Sequence, residues 1–175
     1  MATIASAPTG YRPDLLIQGR DDEVIALVEV KNPQPFSRDT ALDLYRDIAD
    51  RTSVDTPYFL VLSQTLGFLW QSNALHLQQL APAAEFSMQS VMARYAPNLA
   101  SGERLRGREL DYIVFRWLST LTAGPTDGRT EPEVSLAKTG FLTAIHGGSI
   151  VFEAGMAAIL TQLTGCGYPT IGREG

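Results

Sequence analysis

The chain has 175 residues, 45% of them hydrophobic and 19% charged, which suits one globular domain with a substantial core. A net charge of -5 excludes a broadly basic nucleic-acid-coating surface, and the lone Cys166 excludes an intrachain disulfide framework and a cysteine-based zinc cluster. Residues 1–10 read as a flexible arm without a secretory signal, and Ala154 to Gly172 holds too much Gly, Gln, Thr and Pro for a membrane span, so a cytoplasmic protein is expected.

Arg12 to Gln18 and Glu23 to Lys31 are β-rich runs joined by the polar Gly19-Arg20-Asp21-Asp22, the pattern of an antiparallel hairpin. Alternation along the second run puts Val24, Ala26, Val28 and Val30 on one face and Ile25, Leu27, Glu29 and Lys31 on the other. Pairing across the hairpin can bring Asp14 near Glu29, so that two carboxylates and an ammonium converge. Carboxylates at one point repel unless a cation neutralises them, and Mg²⁺ is commonly held by one or two carboxylates plus phosphate oxygens. A neighbouring lysine can position or deprotonate a water, or neutralise charge on the phosphate. Metal-assisted phosphodiester hydrolysis uses all three groups. Read only as structure, the same residues are a turn aspartate and an exposed charged sheet edge.

Asn32-Pro33-Gln34-Pro35 ends the second strand, and a helix is predicted over 38–52, capped by Ser37. Its Tyr45 reads as a core residue with a hydroxyl at the rim. Tyr58 to Ser63 is apolar enough for a central strand buried on both faces, and Phe68 to Trp70 is a shorter strand. Helices are predicted over 85–96 and 104–122, the second with a stripe from Leu110 to Leu121 that fits the core or a dimer interface. Arg104, Arg106 and Arg108 can contact phosphates or simply solvate a helix start beside Glu103 and Glu109. Residues 123–134 read as a loop, with a strand at 149–152 and a helix at 154–163 beyond it. His76 and His146 read as structural or surface residues.

Pro13-Asp14 followed by Glu29-Val30-Lys31 resembles the PD-(D/E)XK nuclease superfamily, and residues 11–72 look like the N-terminal nuclease domain of type I restriction-enzyme motor subunits. The resemblance implies an α/β, restriction-endonuclease-like mixed sheet with a shortened core, flanked by helices, followed by a largely helical C-terminal half. The core would occupy 11–80, and 81–175 would elaborate the same domain. Asp14, Glu29 and Lys31 would be catalytic. Asp14, Glu29 and the Val30 carbonyl would hold Mg²⁺, with Mn²⁺ as substitute. DNA would be the substrate. Residues 1–10 have no acidic residue to supply the upstream glutamate of many members, and Ala41 stands where several branches have Gln before the tyrosine. A catalytically inactive binding or assembly module is the alternative. A sheet lacking its first strand needs its edge covered by the C-terminal half or by another copy, so a homo-oligomer is expected.

Overall fold

The structure, a computed structural model, describes residues 13–51, 56–72, 81–106 and 108–152. The 1–10 arm and the 154–163 helix expected from the sequence lie outside these residues. One six-stranded sheet organises the described chain. In chain order its strands are β1 (Leu15–Gln18), β2 (Val24–Val30), β3 (Tyr58–Leu62), β4 (Leu66–Gln71), β5 (Ala84–Ser87) and β6 (Ser149–Val151), and in space they run β5-β4-β3-β2-β1-β6. Only β2 and β3 pair in parallel; the other pairs are antiparallel. The class is mixed α/β, with an open sheet of six strands, of which β5 alone was not read as a strand from the sequence.

The parallel pair needs a crossover, and helix α1 (Arg38–Arg51) supplies it. Ser37 Oγ accepts the Thr40 backbone N–H at 3.2 Å and so caps the helix. Leu16, Leu27, Ala41, Ile48, Phe59 and Trp70 form the apolar layer under α1. Tyr45 belongs to the same layer, its ring stacked on Trp70 at 4.7 Å between centroids. Burial raises the pKa of its hydroxyl.

The other face of the sheet is covered by α2 (Gln89–Tyr95), α3 (Glu109–Ala123), α4 (Glu133–Lys138) and α5 (Phe141–Ile145). The Leu110 to Leu121 stripe is buried here, so it is not available to a partner. Glu133 Oε1 accepts from Trp117 Nε1 at 3.0 Å and from Arg94 at 2.6 Å, tying three of these helices together.

Three expectations need correction. The helix read over 85–96 begins with strand β5, whose residues alternate buried and exposed while it pairs with β4, and only Gln89–Tyr95 is helical. The helix read from Arg104 starts at Glu109, because Gln64 holds the preceding segment extended: its Oε1 accepts the Leu105 N–H at 3.0 Å and its Nε2 donates to the Glu103 carbonyl at 2.6 Å. The face assignment at the start of β2 is also inverted. Register slips between Ile17 and Gln18, which pair with Ala26 and Val24, leaving Ile25 as the extra residue of a bulge. Ile25 consequently joins the α3-side core and Val24 the α1-side layer.

The edge of β1 is covered by β6 from the C-terminal half, with Leu16, Ile17 and Gln18 opposite Val151, Ile150 and Ser149. Both grounds for expecting self-association, the stripe and the bare edge, are thus met within the chain. A close approach at Gly148 makes this pairing possible, since a Cβ there would stand 2.2 Å from the Gln18 carbonyl oxygen. Gly148→Ala should therefore cost about 1–3 kcal/mol, as other overpacking substitutions do. Urea unfolding with an unchanged midpoint would show that the β1–β6 junction is looser than this.

Candidate active site

Asp14, Glu29 and Lys31 meet at one end of the sheet. Glu29 lies opposite Val61 in the parallel pair, and the Lys31 N–H continues that ladder to the Leu62 carbonyl at 2.9 Å. The site therefore sits at the carboxyl end of β2 and β3, where open α/β sheets commonly place ligands. Asp14, Glu29 and Lys31 share the strand parity of Leu16 and Leu27, which face each other across the hairpin.

The Lys31 ammonium lies 2.8 Å from Glu29 Oε2 and 3.1 Å from Asp14 Oδ2. Asp14 Oδ2 also accepts the Val30 backbone N–H at 2.8 Å, which fixes the carboxylate against β2. The Glu29 side chain is 4% exposed and that of Lys31 is 42% exposed, so the lysine forms the lid between a buried carboxylate and solvent. Burial lowers the pKa of Lys31, but the hydrogen bond and charge of Glu29, then those of Asp14, outweigh it, and the net direction is up. At neutral pH Lys31 is a firm ammonium, a hydrogen-bond donor rather than an acceptor of protons.

The sequence reading named these three residues, and the structure brings them together. It did not name Asp111, at the start of α3. Burial raises the pKa of the Asp111 carboxyl, the Asp14 charge raises it further, and Lys31 and Arg108 offset part of that. The third carboxylate near the site thus comes from downstream in the chain, where helix periodicity assigns it only a polar position. Among the described residues no three His, Cys, Asp or Glu side chains form a group that could hold a metal ion, and Asp111 is a charged neighbour of the Asp14–Lys31 pair.

The segment after Lys31 is held by residues distant in sequence. Asn32 Nδ2 donates to Gln64 Oε1 at 3.2 Å, and Arg104 donates to the Asn32 carbonyl. Neither Gln64 nor Asn32 carried a sequence signal for this role, since each is a single amide outside any periodic pattern. The arginine cluster did carry one, and Arg104 is the member that reaches the site's edge.

No family model, curated protein or solved structure matches the chain. No described helix is long and apolar enough to cross a membrane.

The raised pKa of Asp111 has a consequence for stability. A carboxyl whose folded value lies above its unfolded value near 3.8 contributes its full stabilisation below 3.8, and this is lost as pH rises through the folded value. Asp111→Asn should then be more stable than the wild type at pH 7, with the difference shrinking as pH falls through 4. Denaturant midpoints across pH 3–7 check it; a variant equally destabilised at every pH would give Asp111 a structural role instead.

Proposed function

We propose that this protein is a metal-dependent endonuclease of the PD-(D/E)XK type that hydrolyses phosphodiester bonds in DNA. The observation that carries the reading is the convergence of two carboxylates on one ammonium at the carboxyl end of the parallel pair. A structural ion pair needs one carboxylate per lysine, and a second carboxylate beside it adds repulsion that a bound cation would relieve.

The donor set fits Mg²⁺: hard oxygens only, two of them anionic, with the remaining positions left to water and phosphate. Asp14, Glu29 and the Val30 carbonyl are the groups that would hold the ion. When bound, it would supply Lewis-acid polarisation of the scissile phosphate. Asp14 is oriented by the Val30 N–H, and burial limits the movement of Glu29. Lys31 donates hydrogen bonds to the phosphate oxygens as charge grows on them. Its raised pKa favours that role over taking a proton from the attacking water.

One observation favours the alternative of an inactive nuclease-derived binding module: Lys31 already contacts both carboxylates and can satisfy them without an ion. The lysine variant separates the two readings. If the carboxylates form an ion site, Lys31→Ala removes a competing cation, so Mn²⁺ should bind at least as tightly as to wild type. Because Glu29 stays buried when the Lys31 ammonium is gone, the variant should also gain more thermal stability from Mn²⁺ than the wild type does. Plasmid nicking in Mg²⁺ should fall by about 10²-fold or more in Lys31→Ala, and in Asp14→Asn both nicking and ion affinity should fall. Calorimetric Mn²⁺ titration and the nicking assay read these together. A wild type that binds no divalent ion and nicks nothing at millimolar Mg²⁺ would end the nuclease reading in favour of the binding module.

A further inference from the structure

An open groove of about 880 Å³ begins beside the candidate site, lined by Asn32, Glu103, Arg104, Leu105, Arg106 and Glu109. A second hollow of about 320 Å³ shares Glu103, Arg104, Leu105 and Glu109 with it and extends to Tyr95. The two form one trough, from the residue following Lys31 to the end of α2.

Its charges are not equivalent. Glu103 Oε2 accepts the Ala100 N–H at 3.0 Å and Glu109 Oε2 accepts the Arg106 N–H at 2.7 Å, so both glutamates hold the backbone of the trough wall in shape. The arginines have no such partners. Arg104 donates to the neutral Asn32 carbonyl, and neither Arg106 nor Arg116 has a carboxylate partner among the described residues. Arg116 lies over the Tyr95 ring, 5.3 Å from its centroid, at the far end. Arg94 also approaches that ring, but its charge is taken by Glu133. Two exposed guanidiniums without carboxylate partners, Arg104 and Arg106, therefore line the trough, and a third, Arg116, stands over Tyr95 at its end, in a chain whose net charge is -5. Arg108, which precedes α3, and Tyr112 and Arg116 on it recur at four-residue spacing, and all three are exposed. Tyr112, at 60% exposure, is the one exposed large hydrophobic among the described residues.

We infer that this trough binds a single strand of nucleic acid leading into the candidate site, with Arg104, Arg106 and Arg116 on successive backbone phosphates and Tyr112 as a stacking surface for a base. The inference rests on the nuclease reading only for what happens at the end of the strand; binding stands without it. Guanidinium forks match phosphate oxygens. A concave channel combined with an exposed aromatic suits a flexible strand, whose bases have free faces, better than a duplex, whose bases are stacked on one another.

Fluorescence anisotropy in EDTA, with fluorescein-labelled oligo(dT), oligo(rU) and a duplex of equal length over a salt series, tests it. The wild type should bind the single strands more tightly than the duplex. Arg106→Gln and Arg116→Gln should each reduce the slope of log K against log salt by about 0.7, the value for one phosphate contact on a single strand. Tyr112→Ala should weaken binding about tenfold with the slope unchanged, because stacking releases no counterions. Tighter duplex binding overturns the single-strand assignment, and an Arg106→Gln/Arg116→Gln double variant with wild-type affinity and slope overturns the trough. All these positions are exposed or half-buried, and unchanged melting temperatures exclude misfolding. A protein that nicks plasmid but binds strands independently of these arginines loses the trough and keeps the nuclease reading. One that binds through them and never nicks does the reverse.

Discussion

Because β2 is covered on both faces, charge can be placed only at its end. Helix α1 packs on one side of the strand and α3 on the other, so every side chain from Ile25 to Val28 must be apolar. Glu29 is the first position where a polar group appears, and it is still buried. Burying a carboxylate is costly unless it is paired, and the pairing comes from the next residue on the same face, Lys31, with Asp14 across the hairpin. The same constraint that makes the core continuous thus concentrates the chemistry at one place. It also explains why the polar residues around it, Asn32, Gln64 and Asp111, come from strand ends, turns and a helix start.

The hairpin, the crossover helix and the central strand were legible because each has a local signal: period-two alternation with a polar turn, helical spacing after a Ser cap, and a continuous apolar run. Asp14, Glu29 and Lys31 were legible because the motif they resemble places them on two strands of one hairpin, although the register that sets Leu15 opposite Val28 depends on a bulge the sequence did not reveal. What escaped the sequence depends on partners far along the chain. The 84–87 stretch is a strand because β4 offers it an edge, although its residues merge into a following helical pattern. The bulge at Ile25 changes the faces of only two residues, too few to disturb the alternation around them. Residues 104–106 have good helical composition, yet one glutamine side chain bonded to the backbone on both sides of Arg104 holds them extended.

The covering of β1 by β6 also links the two ends of the described chain. In the sheet order, β1 lies between β2, its neighbour in sequence, and β6, which arrives more than a hundred residues later. A chain emerging from the ribosome can close the hairpin early, but one side of β1 keeps its unpaired N–H and C=O groups until Ser149–Val151 is made. Pairings of such long sequence separation slow folding, and an open strand edge invites the wrong strand. The strand that begins the fold is therefore the last to lose its exposed edge, and a nascent or truncated chain would carry next to its acidic pair a ready template for association with its own copies.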